Sequence, residues 1–233
     1  MSCKVDIGVI GALDEEVSSL ISKLSEKQCV TVGGIELNIG NLAGRRIAVA
    51  RSGVGKVFAA MCAQAMIVTT SPSLIVNTGV GGALRGDFKT TDTAIAKRLV
   101  QHDMDTSAIG DPVGLISGIN KVYFDADERA VDILLCGASA LGIKASAATV
   151  ASGDKFIASK DDKARIIETF SADVCEMEGA AIAQVAYVNK TPFAVIRAIS
   201  DSADEGATMD YLEFLPIAAK NSSLLTEHLI ENY

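Results

Sequence analysis

The feature of this sequence that most constrains its fold is an alternation of short apolar segments with segments of helical periodicity. Residues 5–10 (VDIGVI) predict a buried strand, and residues 14–23 predict a helix because Val17, Leu20 and Ile21 recur at helical spacing. The other predicted strands are residues 74–77, 93–100, 145–152, 173–177 and 193–199. The other predicted helices are residues 56–68, 127–141, 161–169, 178–188 and 211–229. Such alternation is typical of a mostly parallel sheet with helices on both faces.

One stretch departs from this alternation. Residues 28–52 are punctuated by glycines at 33 and 34 and by NLAG at 41–44, and they predict an antiparallel meander of three short strands. A chain of 233 residues fits one domain better than two. We therefore expect residues 1–233 to form a single α/β domain of three layers, with a mixed central β-sheet flanked by helices.

Composition and charge exclude several classes of partner. A net charge of −8 provides no basic surface for nucleic acid or for an anionic membrane, and no apolar run is long enough to span a bilayer. The five cysteines, at positions 3, 29, 62, 136 and 175, form no CxxC motif and no Cys/His cluster. This pattern predicts reduced, buried thiols in a cytoplasmic protein, without a zinc site. Small molecules or further subunits are the expected partners.

Acidic residues follow several of the predicted strands. In a parallel α/β sheet the ligand lies outside the carboxyl ends of the strands. That rule predicts one crevice, and its expected members are Glu16, residues 78–82, 152–157, 176–178, Ser200 and Asp201. Glu176 and Glu178 flank Met177 in the otherwise small or apolar stretch VCEMEGAA, where an unpaired buried charge would be unfavourable.

Structural explanations for the same acidic residues remain open at this stage. Asp14, Glu15 and Glu16 all suit the first turn of a helix, and a helical wheel leaves both Asp14 and Glu16 beside the apolar face. Asp201 also suits a turn or a helix cap. Arg197, four residues earlier in the same strand, is expected to pair with a carboxylate of the crevice if it is buried.

Two glycine-rich runs fail the tests for nucleotide-binding loops. TGVGGAL at 78–84 has Leu84 where a dinucleotide fingerprint requires glycine, and RSGVGKV at 51–57 lacks the first glycine of a phosphate loop. Both runs are therefore predicted to be tight strand-to-helix turns, and neither NAD nor ATP is expected. His102 and His228 are expected to be ordinary surface or hydrogen-bonded histidines. The sequence predicts no metal and no cofactor.

Five segments together resemble 5′-methylthioadenosine/S-adenosylhomocysteine nucleosidases of the nucleoside phosphorylase superfamily. They are IGVIGALDEEV, VNTGVGGAL, ASGDKFI, CEMEGAAIAQV and RAISDSAD, and their order and spacing cover essentially the whole chain. The resemblance implies a nucleoside phosphorylase-like fold, a homodimer, and hydrolysis that releases adenine from a 5′-thio-substituted ribose. It implies no cofactor.

The resemblance also implies roles for three carboxylates. Asp201 matches the general acid that protonates adenine at N7, and Glu16 matches the residue that orients and deprotonates the attacking water. Glu178 matches the carboxylate that accepts hydrogen bonds from the ribose hydroxyls. Carboxylates suit both ends of this reaction because the sugar becomes oxocarbenium-like while adenine needs a proton to leave.

The remaining matches concern substrate binding. Met177 is expected to pack on the ribose, Phe156 to stack on adenine, the Ile157 backbone to contact the adenine edge, and Tyr211 to lie near the ligand. Ser200 and Arg197 are expected to support Asp201 and the water site. Three positions depart from the family pattern, and they are Val80 for a serine, Leu13 for a methionine and Ile109 for an aromatic. Residues 102–109 match the segment that covers the 5′ group in the partner's pocket.

Other functions remain in competition with hydrolysis. A phosphorylase would need a cationic site for phosphate, whereas GALDEEV supplies acids there and Arg51 and Arg85 are the nearby bases. A nucleoside-binding protein without catalysis would be compatible with the loss of the serine at Val80. A flavodoxin-like or dehydrogenase module lacks its glycine fingerprint. The role of Glu176 also stays open between the site, a partner base and structure.

Overall fold

A computed structural model of the chain describes residues 4–204 and 207–233. Its strands are β1 (Ile7–Gly11), β2 (Ser25–Val32), β3 (Ile35–Leu42), β4 (Arg45–Arg51), β5 (Leu74–Ala83), β6 (Thr93–Gln101), β7 (Tyr123–Asp125), β8 (Ala145–Ser152), β9 (Val174–Glu176) and β10 (Phe193–Asp201). Its α-helices are α1 (Asp14–Lys23), α2 (Lys56–Thr70), α3 (Glu128–Ala140), α4 (Lys160–Phe170), α5 (Gly179–Val188) and α6 (Ala207–Asn232).

The sheet is mixed and closes on itself at one end. Strand β1 lies in its centre and pairs in parallel with β4 and β5. The meander β2–β3–β4 extends the sheet on one side through antiparallel pairs. On the other side β5 pairs with both β10 and β9, and the order β10-β6-β8-β9 completes a ring of strands. The carboxyl ends of β1, β5, β8 and β10 therefore approach one another.

Helices cover both faces of this sheet. Gly8 and Gly11 point to opposite faces because their positions in β1 differ by an odd number. A Cβ atom at Gly8 would lie 2.3 Å from the sulfur of Met66 in α2, and one at Gly11 would lie 2.7 Å from Val17 in α1. Helix α5 packs beside α2, and α6 packs against both α1 and α3. The α/β fold with a mixed central sheet flanked by helices is confirmed.

One prediction about local structure was wrong at the TGVGG run. These glycines do not form a turn, because β5 continues through them to Ala83. The other run does connect a strand to a helix, and Gly53 and Gly55 there have φ angles of +89° and +99°. Strand β7 was not predicted, and α6 begins at Ala207, four residues before the predicted start at residue 211.

The expectations for thiols and histidines need correction. Cys62 and Cys175 are buried, but Cys29 and Cys136 are exposed, and Cys3 lies outside the described residues. His102 is buried, and neither of its ring nitrogens has a hydrogen-bond partner among the described residues. None of the helices in the described part of the chain is both long enough and apolar enough to cross a membrane.

Candidate active site

A cavity of about 320 Å³ opens at the carboxyl ends of the strands, where the crevice was expected. Four of the residues that line it are carboxylic acids, and most of the others are apolar or glycine. The lining residues are Ala12, Leu13, Glu16, Val54, Val80, Gly81, Gly82, Lys155, Phe156, Ile157, Cys175, Glu176, Met177, Glu178, Ser200, Asp201 and Tyr211.

Glu16 is the acid of the first helix that enters the cavity. It is the third residue of α1, and its carboxylate folds back to accept hydrogen bonds from the backbone N–H groups of Ala12 at 2.6 Å and Leu13 at 3.0 Å. A third N–H, that of Val80 in β5, donates to Oε1 at 3.1 Å. Burial raises the pKa of Glu16, although the Arg197 guanidinium and these backbone donors act in the opposite direction. Asp14 and Glu15 are exposed.

Two glycines of β5 leave the space that two of the carboxylates occupy. A Cβ atom at Gly79 would lie 2.6 Å from Oε1 of Glu16, and a Cβ atom at Gly82 would lie 2.6 Å from Oδ1 of Asp201. At these separations a side chain at either glycine would displace the carboxylate from its observed position. The TGVGG run is therefore neither a turn nor a nucleotide loop, since its glycines let β5 pass close to the acids.

Asp201 is the last residue of β10, and its side chain is buried. The hydroxyl of Ser200 donates to Oδ2 at 2.8 Å, and the backbone N–H of Ala203 donates to Oδ1 at 2.8 Å. Burial raises the pKa of Asp201, the two hydrogen bonds oppose that rise, and the charges of Asp204 and Asp210 add to it. A carboxyl with a raised pKa can hold a proton nearer neutral pH.

Glu178 lies where β9 gives way to α5, and it is the N-cap residue of that helix. Its Oε1 accepts a hydrogen bond at 2.8 Å from the backbone N–H of Gly55, in the loop before α2. Burial, together with the neighbouring Glu176 charge, raises the pKa of Glu178 to about 7. Near neutral pH this carboxyl is therefore divided between its two protonation states.

Glu176 resolves the question that the sequence left open, because it pairs with a base. Arg197 donates to Oε2 of Glu176 from Nε at 3.1 Å and also from Nη2. The same carboxylate accepts the hydroxyl of Ser152 and the backbone N–H groups of Glu178 and Gly179 at 3.0 and 2.7 Å. Burial opposes ionisation, but the guanidinium and these donors outweigh it and lower the pKa of Glu176.

Arg197 lies behind the cavity wall and does not line the cavity. Its side chain is 1% exposed and bonds Asn77 through Nη2 and the carbonyl oxygen of Ile196 at 2.9 Å. The expectation that a buried Arg197 pairs with a carboxylate of the crevice is confirmed, since its partner is Glu176, and its support of Asp201 and the water site stays a prediction. Its charge nevertheless acts on the pKa of Glu16 and of Glu178.

Apolar side chains form the rest of the cavity. The rings of Phe156 and Tyr211 meet edge to face, with centroids 5.7 Å apart and planes at 81°. Of the other positions expected at the site, Leu13, Val80, Ile157, Met177 and Ser200 line the cavity as well. Ile109 does not, because it ends a 3-10 turn (Ser107–Ile109) and is 81% exposed.

The sequence did not indicate every residue at the cavity. Val54 lines it and was not expected there, whereas Lys155 lies in the range 152–157 that was expected at the crevice but had no assigned role. Lys155 ion-pairs with Asp162 at 2.7 Å. The two arginines weighed as phosphate ligands lie elsewhere, since Arg51 approaches the exposed Asp14 at 3.3 Å and Arg85 approaches Asp173 at 3.6 Å.

Comparison with known proteins identifies the family. The model of the phosphorylase superfamily matches residues 6–231. A 5′-methylthioadenosine/S-adenosylhomocysteine nucleosidase from Neisseria meningitidis, solved with methylthio-immucillin-A, is 33% identical with a TM-score of 0.95, over 98% of this chain and 99% of that one. An S-adenosylhomocysteine nucleosidase from Streptococcus pyogenes with 5-methylthiotubericidin is 33% identical with a TM-score of 0.93, over 98% and 97%.

A third similar structure carries a different functional name. The futalosine hydrolase of Helicobacter pylori is 31% identical with a TM-score of 0.93, and the match covers 98% of each chain. All three comparisons span nearly the full length of both partners. The chain belongs to the phosphorylase superfamily. The resemblance to its nucleosidases that was drawn from the sequence is confirmed.

Proposed function

We propose that this protein hydrolyses the N-ribosyl bond of 5′-methylthioadenosine and S-adenosylhomocysteine, releasing adenine and the 5′-thio-substituted ribose. The observation that carries the proposal is the set of buried carboxyls with raised pKa values, Glu16, Glu178 and Asp201, around one cavity. The nucleosidases from two organisms that match the whole chain support the same reaction.

Asp201 is the general acid of the proposed reaction. Adenine leaves poorly as an anion, so a proton must reach N7 as the bond to ribose breaks. The raised pKa of Asp201 supports this role, because a carboxyl that ionises easily would lack the proton at neutral pH. The hydroxyl of Ser200 and the N–H of Ala203 fix the direction of the carboxyl group.

Glu16 is the general base that activates water. Its three backbone hydrogen bonds hold the carboxylate rigidly at the end of β1, and its raised pKa makes it a stronger base than a surface glutamate. Water rather than phosphate is the proposed nucleophile. Lys155 is the one base among the described residues that line the cavity, and it is paired with Asp162. Four carboxyls against one paired lysine make an unfavourable site for a phosphate dianion.

In this proposal Glu178 accepts hydrogen bonds from the ribose hydroxyls. The hydroxyls are hydrogen-bond donors, so they favour the ionised form of a carboxyl that is half protonated in the free protein. Met177 covers the ribose, and Phe156 stacks on adenine whose edge meets the Ile157 backbone. Tyr211 and Leu13 lie toward the 5′ substituent or the ligand's rim, and Ile109 covers the 5′ group in the pocket of a second copy of the chain. Val80 supplies a methyl surface where related enzymes use a hydroxyl.

The assay that tests the function measures adenine release with and without phosphate. Methylthioadenosine, S-adenosylhomocysteine and 5′-deoxyadenosine are compared by adenine release, and futalosine is added, with release of its hypoxanthine base as the readout, because a futalosine hydrolase shares this fold. We expect phosphate-independent release and a free 5-thioribose product. A requirement for phosphate with a ribose 1-phosphate product would support the phosphorylase instead, and binding of adenine without turnover would support a non-catalytic protein.

We further propose that the active form is a homodimer in the cytoplasm. Val57, Phe58 and Met61 share the outer face of α2 and are 70%, 53% and 45% exposed, an arrangement that leaves a large apolar surface in water. Ile109 is also exposed, and its segment adjoins the start of α2 through the ion pair of Lys56 with Asp103 at 2.5 Å. A second copy of the chain would cover this surface.

Light scattering tests the dimer. We expect Phe58→Glu to give a monomer of reduced activity, because a charge cannot be buried there without a partner. Leu141→Glu, which changes an exposed leucine at the end of α3, is the matched control and is expected to stay dimeric. An active wild-type monomer would contradict the proposal.

A further inference from the structure

A lysine outside the cavity holds the two chain segments between which the Asp201 carboxyl lies. Lys163 of α4 donates from Nζ to the carbonyl oxygen of Ala83 at 3.1 Å and to the carbonyl oxygen of Ser202 at 2.5 Å. Ala83 is the last residue of β5, and Ser202 follows the last residue of β10. One ammonium group therefore bridges the ends of two adjacent parallel strands.

Each of the two bridged segments also contacts the Asp201 carboxyl, through the residue next to the one whose carbonyl oxygen Lys163 binds. On one side lies Gly82, where a Cβ atom would come within 2.6 Å of Oδ1. On the other side the N–H of Ala203 donates to Oδ1 at 2.8 Å. Lys163 thus holds Gly82 and Ala203 on either side of the Asp201 carboxyl, although Lys163 itself does not line the cavity.

The link to Asp201 runs through a single peptide group. The Ser202 carbonyl that accepts from Lys163 and the Ala203 N–H that donates to Asp201 belong to the same planar unit. In a trans peptide the C=O and N–H bonds point in opposite directions. A hydrogen bond that fixes the carbonyl therefore aims the N–H, and it also polarises that N–H as a donor.

The turn that contains this peptide needs to be held from outside. Ala203 has a φ angle of +50° and is fully buried. A residue with a Cβ atom in that region of backbone space is strained by about 1 kcal/mol or more, so the turn persists only where its surroundings determine it. The bond from Lys163 is one of the contacts that do so.

We propose that Lys163 is a positioning residue for the general acid. By fixing the Ser202–Ala203 peptide it directs the proton of Asp201 toward the leaving base, without touching the substrate. The inference rests on the proposed hydrolysis of adenine nucleosides. It concerns a residue of α4 that precedes Asp201 by 38 positions in the sequence (201 − 163).

The test compares Lys163→Met, which removes the donors but keeps the chain length, with Lys163→Arg, which keeps donors. Lys23→Met is the control, because Lys23 also joins separate elements, in this case helices α1 and α6, by a partly exposed pair with Glu227 at 2.5 Å. Each protein is assayed with methylthioadenosine and with a p-nitrophenyl 5-methylthioriboside, whose leaving group needs no proton.

We expect Lys163→Met to lower kcat for methylthioadenosine by about 10–100-fold while KM changes by less than about threefold. The p-nitrophenyl substrate should be cleaved within about threefold of the wild-type rate, because general-acid help contributes nothing to its departure. Lys163→Arg should recover most of the lost kcat, and Lys23→Met should match the wild type.

Three results would overturn the proposal. A wild-type kcat in a folded Lys163→Met protein would show that the hydrogen bonds of Lys163 to Ala83 and Ser202 are not needed for catalysis. Equal losses of kcat with both substrates would indicate general structural damage. If Lys163→Met does not fold, Lys163→Gln replaces it, and failure of both to fold would assign the lysine to stability alone. Absence of adenine release by the wild-type protein would instead disprove the proposed function, so the two failures are distinguishable.

Discussion

The two glutamates on either side of Met177 line the same cavity in opposite electrostatic settings. Glu176 receives a guanidinium, a hydroxyl and two backbone N–H groups, and its pKa is lowered. Glu178 receives one backbone N–H, from Gly55, and its pKa rises to about 7. Glu176 therefore keeps its charge as part of the structure, whereas Glu178, two residues further along the chain, titrates near neutral pH.

This contrast extends to the whole site. Arg197 neutralises Glu176 below the cavity surface, whereas Glu16, Glu178 and Asp201 have no ion-pair partner among the described residues. We call Glu176, Arg197, Asn77 and Ser152 the paired layer, and it is stable because its charges and polar groups bond one another. The unpaired carboxyls are kept in states that favour proton transfer, at a cost in stability. The predictions below test that division, beginning with the largest effect.

Removing the proton of the general acid should cause the largest change. Asp201→Asn is expected to lower turnover of methylthioadenosine by about 10²–10⁴-fold while adenine binding stays close to that of the wild type. Steady-state kinetics and calorimetric titration with adenine measure the two quantities. Asp125→Asn, an exposed residue of β7, is the control, and near-normal turnover by Asp201→Asn would remove Asp201 from its role.

Breaking the paired layer should damage stability instead of chemistry. Glu176→Gln leaves the Arg197 charge buried without a counterion, so we expect unfolding to become easier by about 3–5 kcal/mol in urea titrations. Glu227→Gln removes the partly exposed pair with Lys23 and should change stability by less than about 1 kcal/mol. Equal effects of the two substitutions would contradict a structural role for Glu176.

Glu178→Gln should stabilise the protein, in contrast to the destabilisation expected for Glu176→Gln. A carboxyl whose pKa rises on folding, from 4.5 to about 7, stabilises fully below the lower value and loses that contribution as pH rises through the upper one. The substitution should therefore increase stability by about 2–3 kcal/mol at about pH 8 and by much less at about pH 5. Thermal unfolding at both pH values measures this, and a gain independent of pH would refute the assignment. Activity should fall because the ribose hydroxyls exchange a charged acceptor with two oxygens for a neutral amide with one.

The smallest effect is expected at Val80. Its N–H already binds Glu16, and its side chain faces the cavity. Val80→Ser should raise kcat/KM by about two- to tenfold, the value of one added hydrogen bond to water or ribose. Val80→Ala tests whether reduced bulk alone gives the gain, and an equal increase in that variant would exclude the hydroxyl as its cause.

Local patterns predicted much of the fold. Helix α1 was predicted with its observed bounds because its apolar residues recur at helical spacing and its first turn is acidic. Strand β5 was predicted too short, since glycine normally interrupts a strand. Its glycines are present because carboxylates from α1 and β10 need the space, and that reason is contained in other parts of the chain.

The site was predictable as a location but not as a set of interactions. The carboxyl ends of the strands indicated the right crevice, whereas helical periodicity could not separate Glu16 from Asp14. The side-chain partners of Glu176 come from β8 and β10, so its role depended on strand pairing. Lys163 gave no signal at all, because it binds backbone carbonyls that exist at every position.

Carbon-13 NMR of the glutamate side-chain carboxyls, titrated with pH in the unliganded protein, tests the central claim most directly. Glu178→Gln and Glu176→Gln supply the assignments. We expect the Glu178 signal to titrate at about 7. The Glu176 signal should remain that of an ionised carboxylate at pH values below the ordinary 4.5. Titration of both glutamates together near the ordinary value would contradict the division between a paired structural layer and an unpaired catalytic one.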